Sequence, residues 1–347
     1  MREAKHNTVM RLLRSRILRG IYNDRLPGEV QLAKEMGVST VTLGHALMRL
    51  EAIGLIRRRW RSGTFVVPQE EREKVSAPVT VLLSQMSPPS IAVSVAFGTA
   101  AQAHGMEMTI ALHPGEETDQ AVHEILVRLG NVNCVGAAIV STPLDSARAL
   151  RLASGTGPAV LVDWETPDLI LPTITFDDFE AGRLAAAHLL NLGHRRIAFV
   201  DPLPSDPIRT ARSNGVAELV RRTGGWFHEK RAPDFGWGVP ACIDLLRPPD
   251  RPTAIVCGVS FTALDMAKAA ESLGLSVPGD LSLVSMGNQG FSKRWKTYTH
   301  IAFDEEALGS QALDLLLDST PGGEPRRARV PVQFVDRGTT APPGEQP

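Results

Sequence analysis

The apolar positions of this chain change period along its length. Up to Val67 the spacing is helical: Val9, Leu12, Leu13, Ile17 and Leu18 recur at three and four residues, and so do Leu43, Ala46, Leu47 and Leu50. Between these sets, Leu26-Pro27-Gly28-Glu29 predicts a chain reversal, Pro fixing φ and Gly tolerating the bend. A short helix from Glu29 to Met36 follows, with an acid in its first turn. Gly37 ends it as a left-handed cap, and Ser39 or Thr40 supplies the oxygen that starts the next helix. Helices joined so tightly cross steeply. After Gly54, the run from Leu55 to Val67 predicts two short strands around a turn that carries Arg57, Arg58, Arg59 and Arg61.

From Val79 the pattern becomes short continuous apolar runs separated by helix-like stretches. The predicted strands are Val79–Leu83, Met106–Leu112, Val135–Val140, Ala159–Val162, Thr173–Phe176, Ile197–Val200, Thr253–Cys257 and Leu281–Val284. Runs of this kind are strands covered on both faces, so the class is α/β with parallel sheets. Two doubly wound lobes fit better than one barrel, because breaks near 172–176 and 299–304 mark lobe crossings. The expected organisation is therefore a head over 1–68, a polar linker over 69–78, a two-lobed domain over 79–340 and a flexible tail over 341–347.

Charge sharpens the division. The whole chain carries a formal net charge of −1, but Met1 to Lys74 holds 15 Lys plus Arg against 8 Asp plus Glu, a net of +7, which leaves −8 for the rest. A basic head of two crossed helices and an Arg-rich hairpin reads as a winged helix-turn-helix for double-stranded DNA. Taken singly, an amphipathic helix is most often a core-facing one and an Arg run a solvated surface; their ordered combination gives the DNA reading its force. The candidate contacts are Ser39, Thr40, Thr42, His45 and Arg49 on the second helix, and Arg57, Arg58, Arg59, Arg61, Gly63 and Thr64 on the wing.

The three cysteines, Cys134, Cys242 and Cys257, have no metal-ligand spacing and read as reduced core residues. No metal or cofactor is expected. The N-terminus is too charged for a signal peptide, and no apolar run reaches the ~20 residues of a membrane span, so a cytoplasmic location is expected. No GxSxG elbow, Walker loop or HExxH occurs, which argues against an enzyme.

LPGE, LAKEMGVS, ALMRLEAIGLI and SGTFV resemble the DNA-binding domain of GntR-type transcription factors. Members of that family commonly carry Arg where this chain has Val30, Thr40 and Gly44, so the family's arginine-to-guanine and arginine-to-phosphate contacts do not carry over to these positions. ITFDDFEAGRLAAAHLLNLGHRRIAFVD, RPTAIVCG, GLSVPGDLSLVSMG and VPVQFVDRGTT resemble the effector domain of LacI-type repressors, itself similar to periplasmic sugar-binding proteins. The mixed architecture is similar to arabinose repressors of that type. It implies a homodimeric transcriptional regulator, a repressor, released or engaged by a small carbohydrate-like effector in the cleft between lobes.

The resemblance places effector contacts at Asp163 and Arg212, and Ser260 and Asn288 stand in the segments where relatives hold polar ligands; Trp237, an aromatic in an expected loop, suits stacking on a sugar face. Asp163 is open to a second reading as a loop cap, and Asp177 to a hinge or a ligand role. Relatives usually carry Ala-Asn-Asp at Gly258-Val259-Ser260 and Gly-aromatic-Asp-Asp at Ser285-Met286-Gly287-Asn288, so two sugar-gripping carboxylates are missing. A pocket poor in acceptors suits a ligand with a negative or apolar part better than a plain hexose. The alternative is a ligand-independent regulator whose lobes serve for dimerisation.

Overall fold

The computed structural model describes residues 5–18, 20–52, 54–59, 62–68, 78–84, 86–112, 136–155, 158–203, 206–231, 238–247, 249–287, 298–319 and 324–344. In the head, α1 (Lys5–Leu18), α2 (Glu29–Glu35) and α3 (Thr40–Ala52) precede a hairpin of β1 (Ile56–Arg59) and β2 (Gly63–Val66). Val9, Leu13 and Ile17 of α1 pack with Leu32, Leu43, Ala46, Leu47, Leu50, Ile56 and Val66 in one apolar cluster. Leu12, expected on that face, is 42% exposed, because the residues four apart already fill the inward row and position 12 lies about 100° round the helix. Gly37 takes φ +66 after α2, the left-handed conformation its position calls for. Ser39 caps α3 by accepting from the Thr42 amide at 3.2 Å.

Beyond the head the elements alternate as the apolar runs imply: β3 (Val79–Leu83), α4 (Pro88–Ala103), β4 (Met108–Leu112), β5 (Gly136–Val140), α5 (Ser146–Gly155), β6 (Ala159–Val162), β7 (Thr173–Phe176), α6 (Asp178–Asn191), β8 (Arg196–Asp201), α7 (Pro207–Arg222), β9 (Trp226–Arg231), α8 (Val239–Leu246), β10 (Ala254–Cys257), α9 (Ser260–Ser272), β11 (Ser282–Met286), β12 (Thr299–Ala302), α10 (Glu305–Asp318), β13 (Arg327–Val330) and β14 (Gln333–Val335). The chain divides into two compact units, Met1–Ile174 with Glu306–Arg327, and Thr175–Glu305 with Ala328–Pro347. It therefore passes from one unit to the other at 174–175, 305–306 and 327–328; the last passage has no signature in the apolar pattern.

The first unit carries a sheet of order β13-β7-β6-β5-β3-β4. Its strands β3 to β6 are buried along their whole length, except for edge strand β4, whose Ile110 and Leu112 are half exposed. The second unit carries the order β14-β12-β11-β10-β8-β9, parallel except for β14. Side-chain alternation splits its core in two. Ile197, Phe199, Ala254 and Val256 face α6 and α7, while Ala198, Val200, Ile255 and Cys257 face α8 and α9. Strand β9 carries no continuous apolar run, because as an edge strand it buries none of its residues fully.

Helices α6 and α7 touch backbone to backbone. A Cβ on Gly182 would lie 2.1 Å from the Arg212 carbonyl oxygen, and one on Gly215 2.1 Å from that of Phe179. Gly44 in α3, by contrast, has open space around it. Gly182→Ala should lower unfolding free energy by about 2–3 kcal/mol through overpacking, and Gly44→Ala should raise it by roughly 0.5–1 kcal/mol through helix propensity. Denaturant melts of the two variants check the contrast.

Candidate DNA-binding surface and effector site

On α3, Thr40 and His45 are exposed, and Thr42 is half buried with its hydroxyl 2.9 Å from that of Ser39. Ser39 is thus occupied by capping. The Arg49 side chain, and all of Arg61, Trp237 and Asn288, lie outside the described residues. In the wing, Ile56 pairs with Val66, Arg57 with Phe65, Arg58 with Thr64 and Arg59 with Gly63. Residues facing the core alternate with residues facing out. Thr64 is on the inner side and 7% exposed, so its side chain is no DNA contact, contrary to the sequence reading. Arg58 shares that parity: its guanidinium reaches Glu29 at the start of α2 at 2.6 Å, and its amide donates to Glu51 at 2.8 Å. It ties the wing to α2, while Arg57 and Arg59 are exposed on the other side.

In a doubly wound sheet, ligands gather at the carboxyl ends of strands where the winding reverses. In the first unit the reversal falls between β3 and β5, since β4 lies on one side of β3 and β5 on the other. There the Ser84 hydroxyl donates to the Ser141 carbonyl at 3.1 Å, and the Ser141 hydroxyl to Asp163 at 2.9 Å. Ser141 and Asp163 adopt φ +44 and +54, a left-handed conformation uncommon for non-glycine residues and concentrated at functional sites. Asp163 thus belongs to a network that includes two serines the sequence reading missed. The aromatic next to it packs within its own unit: the Trp164 indole donates to the Leu144 carbonyl at 3.0 Å.

In the second unit the reversal falls between β8 and β10. Arg212, on α7, donates through Nε to the buried carboxylate of Asp178 at 2.7 Å and through Nη1 to the Gly258 carbonyl at 3.4 Å, with its guanidinium 4.6 Å from the Phe303 ring centre. Asp201, the last residue of β8, is fully buried; it accepts from the Leu203 amide at 3.0 Å, and Arg209 Nε stands 3.6 Å from its Oδ2. Burial pushes the Asp201 carboxyl above the usual range, against the opposing pull of Arg209, the Leu203 amide, Arg212 and Arg231. Gly258 makes room for it, as a Cβ there would lie 2.4 Å from Asp201 Oδ2. An acid closing an apolar run was the available signal, the same one that singled out Asp163. Asp177 caps α6 by accepting from the Glu180 amide at 3.1 Å, a structural task. Burial raises the Cys242 thiol to about 12 and the Cys257 thiol well up, so neither is a nucleophile at neutral pH.

Residues 5–66 match the family described as bacterial regulatory proteins, gntR family, and residues 186–340 match the periplasmic binding protein-like domain. The chain is thus similar to GntR-type regulators over its head and to periplasmic binding protein-like domains over its second unit. It is 27% identical to the HTH-type transcriptional regulator MalR of Streptomyces coelicolor over 328 residues, 89% of this chain and 91% of that one. It is 30% identical to the transcriptional repressor PurR of Glaesserella parasuis over 177 residues, 49% of this chain and 52% of that one. For CytR of Escherichia coli the figures are 31% over 170 residues, 48% and 50%. The match thus spans about half the length of PurR and CytR. Among solved structures, the lac repressor dimer bound to operator and an anti-inducer superposes with a TM-score of 0.65 at 25% identity, covering 79% of this chain and 99% of that one. These relatives are transcriptional regulators, not enzymes.

Ser260 opens α9 half buried, behind Val259 at the cap, which has no side-chain hydrogen bond. The carboxylate at this reversal comes from β8 instead. Because the folded state holds Asp201 above its ordinary range, this group favours folding below about pH 3.9, and that contribution is lost as pH rises through the raised value. Asp201→Asn removes the titration. Its melting temperature relative to wild type should therefore climb as pH rises from about 4, which parallel thermal melts measure.

Proposed function

We propose that this chain is a sequence-specific regulator of transcription, a cytoplasmic homodimer that represses by binding double-stranded operator DNA and responds to a small effector. One observation carries the reading: a head with an exposed polar face on α3 and a basic wing is joined, in a single chain, to doubly wound units whose strand reversals hold built polar networks. A head alone would serve for constitutive binding. The networks at Asp163 and at Arg212 with Asp201 give a ligand something to select between conformations, the requirement for moving the heads.

Domain limits at 1–68 and 79–340, with 69–78 as a linker, remain part of this proposal. At the second reversal Arg209 stands beside Asp201 and Asp206 and Arg212 is paired with Asp178, a set of carboxylate acceptors and guanidinium donors that suits a ligand bearing hydroxyls, such as a sugar or sugar acid. Relatives' regulation of transcription supports the reading, and the LacI-like superposition extends it to a dimer.

Gel-shift titration of the full chain on random and selected duplexes tests the DNA reading. Affinity should fall steeply with salt, with a log-log slope of about −0.9 per phosphate contact, and no binding in low salt would end it. Thr42 and His45 substitutions should change base preference, and Arg57→Ala should weaken all sequences alike. For the effector, Arg212→Ala is a poor probe because it strands the buried Asp178 carboxylate. Arg212→Lys keeps the charge and loses the fork. It should leave operator affinity unchanged and weaken release by whichever sugar, sugar acid or sugar phosphate raises the wild-type melting temperature; equal response in both proteins would show that the ligand sits elsewhere.

A further inference from the structure

The wing hairpin has a third, uncounted neighbour. Arg25 bridges antiparallel to Phe65, on the side of β2 away from β1, and the segment is stitched on by Leu26 amide to Thr64 carbonyl at 2.9 Å and Val66 amide to Asp24 carbonyl at 2.7 Å. Residues directly opposite across paired strands share a face. Arg25, Phe65 and Arg57 are therefore aligned on one face, and Arg59 with Gly63 falls on the same side two residues along. Ile56, Thr64 and Val66 take the opposite, buried side.

The outer face is built around Phe65. The Arg25 guanidinium carbon lies 5.5 Å from its ring centre and that of Arg59 5.3 Å, so one ring steadies two cations. Gly63 leaves space for one of them: with φ +106 and no side chain, it lets Arg25 in where a Cβ would stand 2.8 Å from Nη2. Among the described residues neither Arg25 nor Arg59 is ion-paired, whereas Arg58 is spent on Glu29. Two guanidiniums held over one ring on an exposed face, neither ion-paired among the described residues, are arranged for an external polyanion.

We propose that Arg25 contacts the DNA backbone together with Arg59, both arrayed on Phe65, and that Arg58 makes no phosphate contact. The assignment rests on the DNA-binding reading and divides the basic residues of the head by role. Gly63 then acts through Arg25 rather than by approaching DNA itself.

Salt titrations of the full chain on one duplex test it, with wild type as the control that binding exists. Arg25→Ala and Arg59→Ala should each make the slope of log affinity against log salt shallower by about 0.9, and Arg58→Ala should leave it unchanged. Arg25→Gln keeps the bulk over Gly63 and removes only the charge, so it should reproduce the loss even if Arg25→Ala loosens the segment. Wild-type slope in Arg25→Gln, with a reduced slope in Arg59→Ala, overturns the assignment and leaves DNA binding standing. A reduced slope in Arg58→Ala equal to that of Arg25→Gln overturns the division of roles. Absence of salt-dependent binding by wild type removes both readings together.

Discussion

Two missing side chains set the geometry of the effector body. At Gly182 and Gly215 the backbones of α6 and α7 meet with no room for a Cβ on either. Asp178 lies one turn before Gly182 and Arg212 one turn before Gly215, so the same close crossing that fixes the helices brings the buried carboxylate and the guanidinium within 2.7 Å. Arg212 in turn reaches the end of β10 through the Gly258 carbonyl, and Gly258 leaves space for Asp201. Glycine contact, ion pair and strand end form one connected set, and a change at the crossing is felt where a ligand would be read.

The first unit reaches a comparable end by backbone conformation. Ser141 and Asp163 hold left-handed torsions at the ends of adjacent parallel strands and bond to each other, with Ser84 tied in from the third. Such torsions cost of order 1–3 kcal/mol each and persist only where the surroundings over-determine them. Both units therefore place their least ordinary chemistry at the reversal of strand order, which is where the fold leaves a crevice uncovered by helices.

In the head the governing constraint is the two-residue alternation of a short hairpin. It sorts a run of consecutive arginines into one that ties the wing to α2 and others that face out. Charge counts see only the sum. The sorting decides that Arg58 is neutralised by Glu29 while Arg59 lies outward over Phe65.

What the chain shows unaided is what depends on neighbours close in sequence: three head helices, the cap at Gly37, the hairpin, and the eight apolar runs that became β3 to β8, β10 and β11. Burial of alternate or continuous apolar positions is a local signal, and so is the closing acid that marked Asp163. Edge strand β9 and the last strands, β13 and β14, escaped because exposed or short strands carry little apolar pattern, and β12, buried but opening Thr299-His300, escaped because its polar residues break the apolar run. The partner of Arg212, the seating of Asp201 against Gly258, the inward turn of Thr64, the Glu29 tie of Arg58 and the place of Arg25 beside Phe65 were decided only by the tertiary fold. The four pairings among these join residues 29 to 57 positions apart, and no periodicity in the chain encodes which distant backbone will come close enough to exclude a Cβ or which carboxylate will meet a given guanidinium.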